Sequence, residues 1–163
     1  MKTTKFYLVI LLFIFSGMAL AQGSGKVMLK ADIESSDDKQ DVQISVIDLV
    51  SKDVLKKEEV TNKFFADIDL NGRYMIYFKK FGHPSARLIV DTNVDTYANY
   101  YVHLKLNLMD SDSELETGLS TSLGILSFDK NQAKFQLQPS NLKAASMAQI
   151  TFSGATSSEA VKF

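Results

Sequence analysis

Residues 64–92 read FFADIDLNGRYMIYFKKFGHPSARLIVDT and show the clearest strand pattern in the chain. Apolar side chains recur at every second position on both sides of Asn71-Gly72 and again after the break at residues 80–84. A period of two is typical of a strand with one buried face. Asn-Gly between two such runs indicates a hairpin, because both central residues of a type I′ turn take positive φ. The stretch therefore predicts a hairpin at Asn71-Gly72 and a further strand that ends near Thr92.

The same alternation continues on both sides of this stretch. It predicts strands over residues 27–33, 42–47 and 54–60, and a long strand over residues 100–108. The segment 54–60, VLKKEEV, carries charge on both faces, which favours a sheet edge because edge charges discourage pairing with other chains. Seven short strands separated by turn residues, without helical periodicity, predict an all-β fold, a seven-stranded antiparallel β-sandwich of the immunoglobulin-like kind.

The predicted sandwich domain covers residues 22–110. Residues 111–152 are expected to form a C-terminal extension in which a small hairpin across Lys130-Asn131 packs on the sandwich and residues 141–149 form a short helix. Residues 153–163 are expected to be a frayed tail, since chain ends without anchoring contacts are poorly ordered.

The first 21 residues have the pattern of a secretory signal peptide. Lys2 and Lys5 precede ten consecutive apolar residues, 6–15, and the segment ends in Ala19-Leu20-Ala21. Ten apolar residues are about half of the ~20 that a membrane-spanning helix needs, and a small-residue A-x-A site is typical of signal cleavage. We therefore expect an exported protein, periplasmic or extracellular, with no membrane span after cleavage behind Ala21.

Composition excludes several classes of function. The chain has 163 residues, 45% hydrophobic and 23% charged, with a net charge of −1 and no cysteine. A chain without a basic excess is a poor polyanion binder, so no nucleic-acid partner is expected. The lack of cysteine excludes disulfides and thiolate metal sites. The remaining partner class is a protein or a cell-envelope component.

Candidate catalytic groups are few. The two histidines are His83, between a glycine and a proline in a turn, and His103, on the outward face of the long strand. Nucleophile-elbow, zinc-protease and phosphate-loop motifs are not present in the sequence. We therefore expect no catalytic residue, no metal and no cofactor, and retain a hydrolase with an unrecognised site as an alternative.

Acidic side chains follow the long strand at alternate positions. Asp110, Asp112 and Glu114 resemble the first three ligands of a calcium loop. Leu115 and Thr121 stand where such a loop requires glycine and a bidentate glutamate. A solvated loop is therefore favoured, and calcium binding is left open.

The long strand supplies the candidate binding face. Its outward residues are predicted to be Tyr101, His103, Lys105 and Asn107, while Val102, Leu104, Leu106 and Leu108 line the core. A second hypothesis is an aromatic platform for carbohydrate or protein, because tyrosines give large contact area with a polar end. It would be formed by Tyr74, Tyr77, Tyr97, Tyr100 and Tyr101, and sheet packing is the alternative explanation for these rings.

Residues 64–92 resemble the transthyretin-like, carboxypeptidase-regulatory-like domain. The matching positions are the loop glycine Gly72, the strand residues Tyr74 and Ile76, Lys79 or Lys80, and Gly82. The return through Val90-Asp91-Thr92 is similar to small exported proteins of Bacteroidetes, and a second block matches at Gly124, Ile125, Phe128, Asp129 and Phe135.

The resemblance implies a seven-stranded sandwich with an envelope-associated accessory role and carries no catalytic residue across. The expected function is a non-enzymatic exported β-sandwich module that binds or assembles in the periplasm or at the cell surface. An accessory subunit of an envelope secretion or motility machine is the alternative within the same class.

Overall fold

The computed structural model describes residues 25–34, 41–80, 85–108 and 120–157. Most of these residues lie in strands, so the fold is β-rich. The strands are β1 (Lys26–Glu34), β2 (Val42–Asp48), β3 (Val54–Val60), β4 (Lys63–Asp69), β5 (Arg73–Lys80), β6 (Ala86–Asp91), β7 (Ala98–Asn107), β8 (Thr121–Asp129), β9 (Lys134–Pro139) and β10 (Ala148–Ser157). One short helix, α1 (Leu142–Met147), precedes β10.

The strands form two mixed sheets. One has four strands in the order β10-β7-β1-β4, and the other has six in the order β3-β2-β5-β6-β8-β9. Strand β1 runs parallel to β7 and β6 runs parallel to β8, while the other pairs are antiparallel. Strands β1–β7 lie at the seven predicted segments, and the charged strand β3 is an edge, as predicted. The purely antiparallel arrangement of seven strands is not what the structure has, because alternation reports a buried face and not the direction of a neighbour.

The inner faces of both sheets share one hydrophobic core. Tyr100 on β7 makes edge-to-face contacts with Phe128 on β8 and Phe135 on β9, at centroid distances of 5.3 and 5.5 Å. Each such ring pair adds about 0.5–1.5 kcal/mol beyond the area that it buries. These contacts join the four-stranded sheet to the six-stranded one.

The predicted hairpin at Asn71-Gly72 is wrong. Strand β4 pairs with β1 in the four-stranded sheet, whereas β5 pairs with β2 and β6 in the other. Asn71 has φ of 60°, but Gly72 does not have positive φ, so the turn lacks the type I′ geometry. The turn instead carries the chain from one sheet to the other.

Thr92 holds this crossing in place. Its side chain is fully buried, and its hydroxyl donates to the carbonyl of Asp69 at 2.8 Å and accepts from the N–H of Gly72 at 3.0 Å. The backbone N–H of Thr92 also donates to the carbonyl of Gly72 at 3.0 Å, and its carbonyl accepts from the N–H of Asn71 at 3.0 Å. The end of β4 and the start of β5 are therefore tied to the residue that follows β6.

The C-terminal region is part of the two sheets rather than an extension packed on them. The predicted hairpin is present as β8 and β9, but β8 pairs with β6 and so continues the six-stranded sheet. The predicted short helix is present as α1, which begins after Asn141, whose side chain accepts from the N–H of Ala144 at 2.8 Å. Residues 154–157, expected to be frayed, are instead paired with β7 in strand β10.

Several predictions lie outside the described residues. These are the signal peptide at residues 1–21, the turn residue His83, and the acidic loop with Asp110, Asp112 and Glu114. They stay predictions. Within the described ranges, none of the helical structure is long and apolar enough to cross a membrane.

Candidate binding face

Strand β7 presents the predicted residues on its outward side. Tyr101, His103, Lys105 and Asn107 are exposed or half-buried, while Val102, Leu104, Leu106 and Leu108 are buried. The predicted alternation is therefore confirmed. It arises because successive side chains of a strand point to opposite faces of its sheet.

The pairing of β7 with β1, and of β1 with β4, adds residues that were not predicted to lie here. The register sets Met28 beside Tyr101 and Lys30 beside His103, and across β1 it sets Phe65 beside Lys30. The outward side of the four-stranded sheet at β4, β1 and β7 is called the four-stranded face below. Phe65 is 55% exposed and Tyr101 is 38% exposed, so two aromatic rings on this face are open to contact.

A charged cluster lies between these aromatic residues. The Nε2 atom of His103 is 2.6 Å from Oδ2 of Asp32, and Nζ of Lys30 is 3.5 Å from Oδ1 of the same carboxylate. Oδ1 is itself buried and accepts no hydrogen bond from any described residue. The ion pair with Lys30 is therefore the polar contact of this oxygen within the described ranges.

The pKa of Asp32 reports the balance of these contacts. Burial acts to raise the pKa, but the hydrogen bond with His103 and the positive charge of Lys30 outweigh it, so the pKa lies below the ordinary value of 3.8. A nearby positive charge and a donated hydrogen bond both favour the ionised form. Asp32 is therefore a carboxylate at neutral pH.

The Asp32–His103 pair resembles the half of a catalytic triad that orients the base. Nucleophilic catalysis also requires a hydroxyl or thiol within hydrogen-bond reach of that base. In the described part of the chain, no hydroxyl hydrogen-bonds to the second ring nitrogen of His103. No group of three or more histidine or acidic side chains in these ranges is arranged to hold a metal ion. The arrangement suits recognition by charge, hydrogen bonds and aromatic contact.

The five tyrosines of the predicted platform do not share a face. Tyr74 and Tyr100 are buried in the core, where burial, together with nearby aspartates, raises the pKa of each phenol. Tyr97 is exposed before β7, Tyr77 lies on the outward side of the six-stranded sheet, and only Tyr101 lies on the four-stranded face. The platform as predicted is therefore wrong, although Tyr101 keeps its place in the candidate face.

Phe65, Lys30 and Asp32 were not among the predicted residues of this face, and for Phe65 the sequence did carry a signal. The available signal was a large aromatic residue at an outward position of an alternating strand. Asp32 and Lys30 carried no such signal, because only the pairing of β1 with β7 brings them to His103. No protein-family model matches the chain, and no curated protein sequence matches it.

Proposed function

We propose that the protein is a non-enzymatic exported module that binds a protein or cell-envelope component through the four-stranded face. The observation that carries this proposal is the placement of exposed Phe65 and Tyr101 on either side of the Lys30–Asp32–His103 cluster. Aromatic residues are enriched at interfaces because their rings give large contact area with little loss of side-chain freedom. Charged groups beside them supply orientation and partner choice.

The backbone under this face favours binding without rearrangement. Strand β1 is paired on both sides, by β4 and β7, and β7 is paired on both sides, by β1 and β10. Side chains on such strands keep fixed spacing, which lowers the ordering cost of association. We therefore expect little change in the backbone of this sheet when the partner binds.

Export and family membership are separate parts of the proposal. Export is supported by the apolar segment at residues 6–15 and the A-x-A site before Gln22. The transthyretin-like relationship is supported by the motif at Gly72, Tyr74 and Ile76. Under it, β1–β7 correspond to a seven-stranded sandwich and β8–β10 are additions at the edges.

Site-specific photo-crosslinking in intact cells tests the binding face. We expect a photoreactive residue introduced at position 101 or 65 to capture one reproducible species. A probe at Val50 is the matched control, because Val50 is 82% exposed but lies in the turn between β2 and β3. His103→Ala is expected to reduce capture while the variant stays folded, as checked by circular dichroism. Equal capture from Val50, or none from positions 65 and 101, would remove the face as the site.

The same experiment addresses the accessory-subunit alternative. A captured species that co-purifies with the protein in fixed stoichiometry would favour a subunit of a larger envelope machine. Captured species of variable amount would favour a free binding module.

The hydrolase alternative is favoured by the Asp32–His103 hydrogen bond alone. It predicts activity of the purified protein on peptides or glycans that His103→Ala abolishes while leaving the fold intact. Activity that persists in His103→Ala would exclude this pair as its source.

A further inference from the structure

A row of apolar side chains crosses the outward side of the six-stranded sheet. The register sets Val54 beside Ile47, Ile47 beside Met75, Met75 beside Ile89, and Ile89 beside Ile125. We call these five residues the apolar row. They come from the five neighbouring strands β3, β2, β5, β6 and β8, so the row is roughly 19 Å long at about 4.8 Å per strand.

The apolar row is open to solvent. Val54 is 58% exposed, Ile125 is 36% exposed, and the three residues between them are partly exposed. A sheet with one face on the core usually has polar side chains on the other. Contiguous exposed apolar surface is typical of interaction sites. The row therefore has the character of an interface.

Opposite charges flank the row at equal distances. On β6, Arg87 lies two residues before Ile89 and Asp91 lies two residues after it, so all three face outward. Arg87 makes no ion pair with any described residue. Asp91 accepts hydrogen bonds from Asn93 and lies beside Arg73 on β5. Along β6 the charge thus reverses sign across the row, and Arg73 adds a base on the Asp91 side.

We propose that the apolar row is the contact between two copies of this chain, related by a two-fold axis that runs along the row. In a two-fold contact, residue i meets residue j and residue j meets residue i. Such an axis sets each apolar row against its copy and sets Arg87 of each copy opposite Asp91 of the other. The apolar residues therefore face apolar residues, and the two β6 charges face charges of opposite sign.

The positions of Arg87 and Asp91 favour this axis over a two-fold axis along the strands, and a second copy over another protein. A two-fold axis along the strands would set Arg87 opposite Arg87, and facing like charges are destabilising. A segment of another protein would cover the apolar row, but it would not need a base and an acid at equal distances on either side. The proposed dimer leaves the two four-stranded faces pointing away from each other, so each face stays open to a partner of its own.

The oligomeric state of the purified protein tests the proposal by sedimentation velocity over a range of concentrations. We expect a reversible dimer, and we expect Ile89→Arg to make it monomeric. Thr151→Arg is the matched control, since it adds the same charge at an exposed position of β10 in the other sheet. Circular dichroism and the thermal midpoint check that each variant is folded.

A charge exchange tests the axis itself and does not depend on Ile89→Arg folding. Arg87→Asp and Asp91→Arg are each expected to weaken dimerisation by about tenfold or more, because each sets like charges against each other. The double variant R87D/D91R is expected to restore it relative to either single variant. The two positions are roughly 13 Å apart along one strand, so the rescue cannot arise from a pair within one copy.

Three results would overturn the proposal. One is a protein that stays monomeric up to about 1 mM, which corresponds to only ~4 kcal/mol of association. Another is a dimer that a folded Ile89→Arg variant retains, since that dimer would use a different surface. The third is a double charge variant no stronger than the single ones, which would exclude the proposed axis.

Discussion

His103 and Asp32 are joined by a contact of 2.6 Å between Nε2 and Oδ2, although they are 71 positions apart in the chain. The register of β1 and β7 sets Lys30 directly beside His103, so the imidazole reaches diagonally along the sheet to Asp32. Diagonal neighbours are within reach of long side chains. The contact therefore depends on the parallel pairing of these two strands.

The pH dependence of stability should report this contact. The pKa of Asp32 in the folded protein lies below 3.8, so the carboxylate contributes stability above pH 3.8 and loses it as the pH falls through the folded pKa. We expect wild type to exceed Asp32→Asn in unfolding free energy near neutral pH, and the difference to shrink below pH 3.8. Urea denaturation at a series of pH values measures it. Asp67→Asn, an exposed carboxylate on β4, is the control. A difference that is constant down to about pH 2 would contradict the assignment.

Truncation should lower stability strongly on the buried side of β7 and hardly at all on its outward side. Leu104 is fully buried, and Leu104→Ala is expected to lower the unfolding free energy by about 2–5 kcal/mol through lost burial and a cavity. Lys105 is exposed, and Lys105→Ala should change it by no more than about 0.5 kcal/mol. Chemical denaturation followed by circular dichroism compares the two. A larger loss at Lys105 would mean that the strand is shifted by one residue.

Thr92→Val tests the tie between the two sheets. The substitution keeps the shape of the side chain but removes the hydroxyl that donates to Asp69 and accepts from Gly72. Each of these part-buried hydrogen bonds is expected to contribute about 0.5–1.5 kcal/mol to stability. Thr151→Val, at an exposed position of β10, is the control and should stay within roughly 0.5 kcal/mol. Equal denaturation midpoints for the two variants would show that the hydroxyl contributes nothing measurable.

Gly124 and Gly154 have similar backbone conformations but different surroundings, so substitution at both separates backbone strain from steric overlap. Both have positive φ, 130° and 121°, so alanine is strained at either position by about 1–3 kcal/mol. A Cβ at Gly124 would also overlap the carbonyl oxygen of Gln138 in β9, whereas a Cβ at Gly154 meets nothing within 4 Å. Gly124→Ala is therefore expected to destabilise the protein more than Gly154→Ala. Denaturation midpoints measure the difference, and hydrogen exchange in β9 should rise only in Gly124→Ala. Equal losses would mean that β9 moves aside without penalty.

For the strands with clear alternation, the buried side could be predicted from the sequence alone. Leu104 and Lys105 could be assigned to opposite faces because the two-residue period follows from the strand backbone alone. The charges of β3 likewise indicated an edge, since their effect on pairing is local to that strand. The orientation of Tyr101, His103, Lys105 and Asn107 was therefore predictable, although their neighbours on β1 and β4 were not.

Which strands are neighbours could not be predicted from the sequence and follows from the tertiary fold. Asn71-Gly72 joins two strands that alternate as a hairpin would, yet the chain crosses between sheets there. The apolar row takes one residue from each of five strands, so no single segment reveals it. The reason is physical. Hydrogen bonds between strands join backbone groups that every residue except proline carries in full, so side-chain periodicity shows what is buried but not what it pairs with.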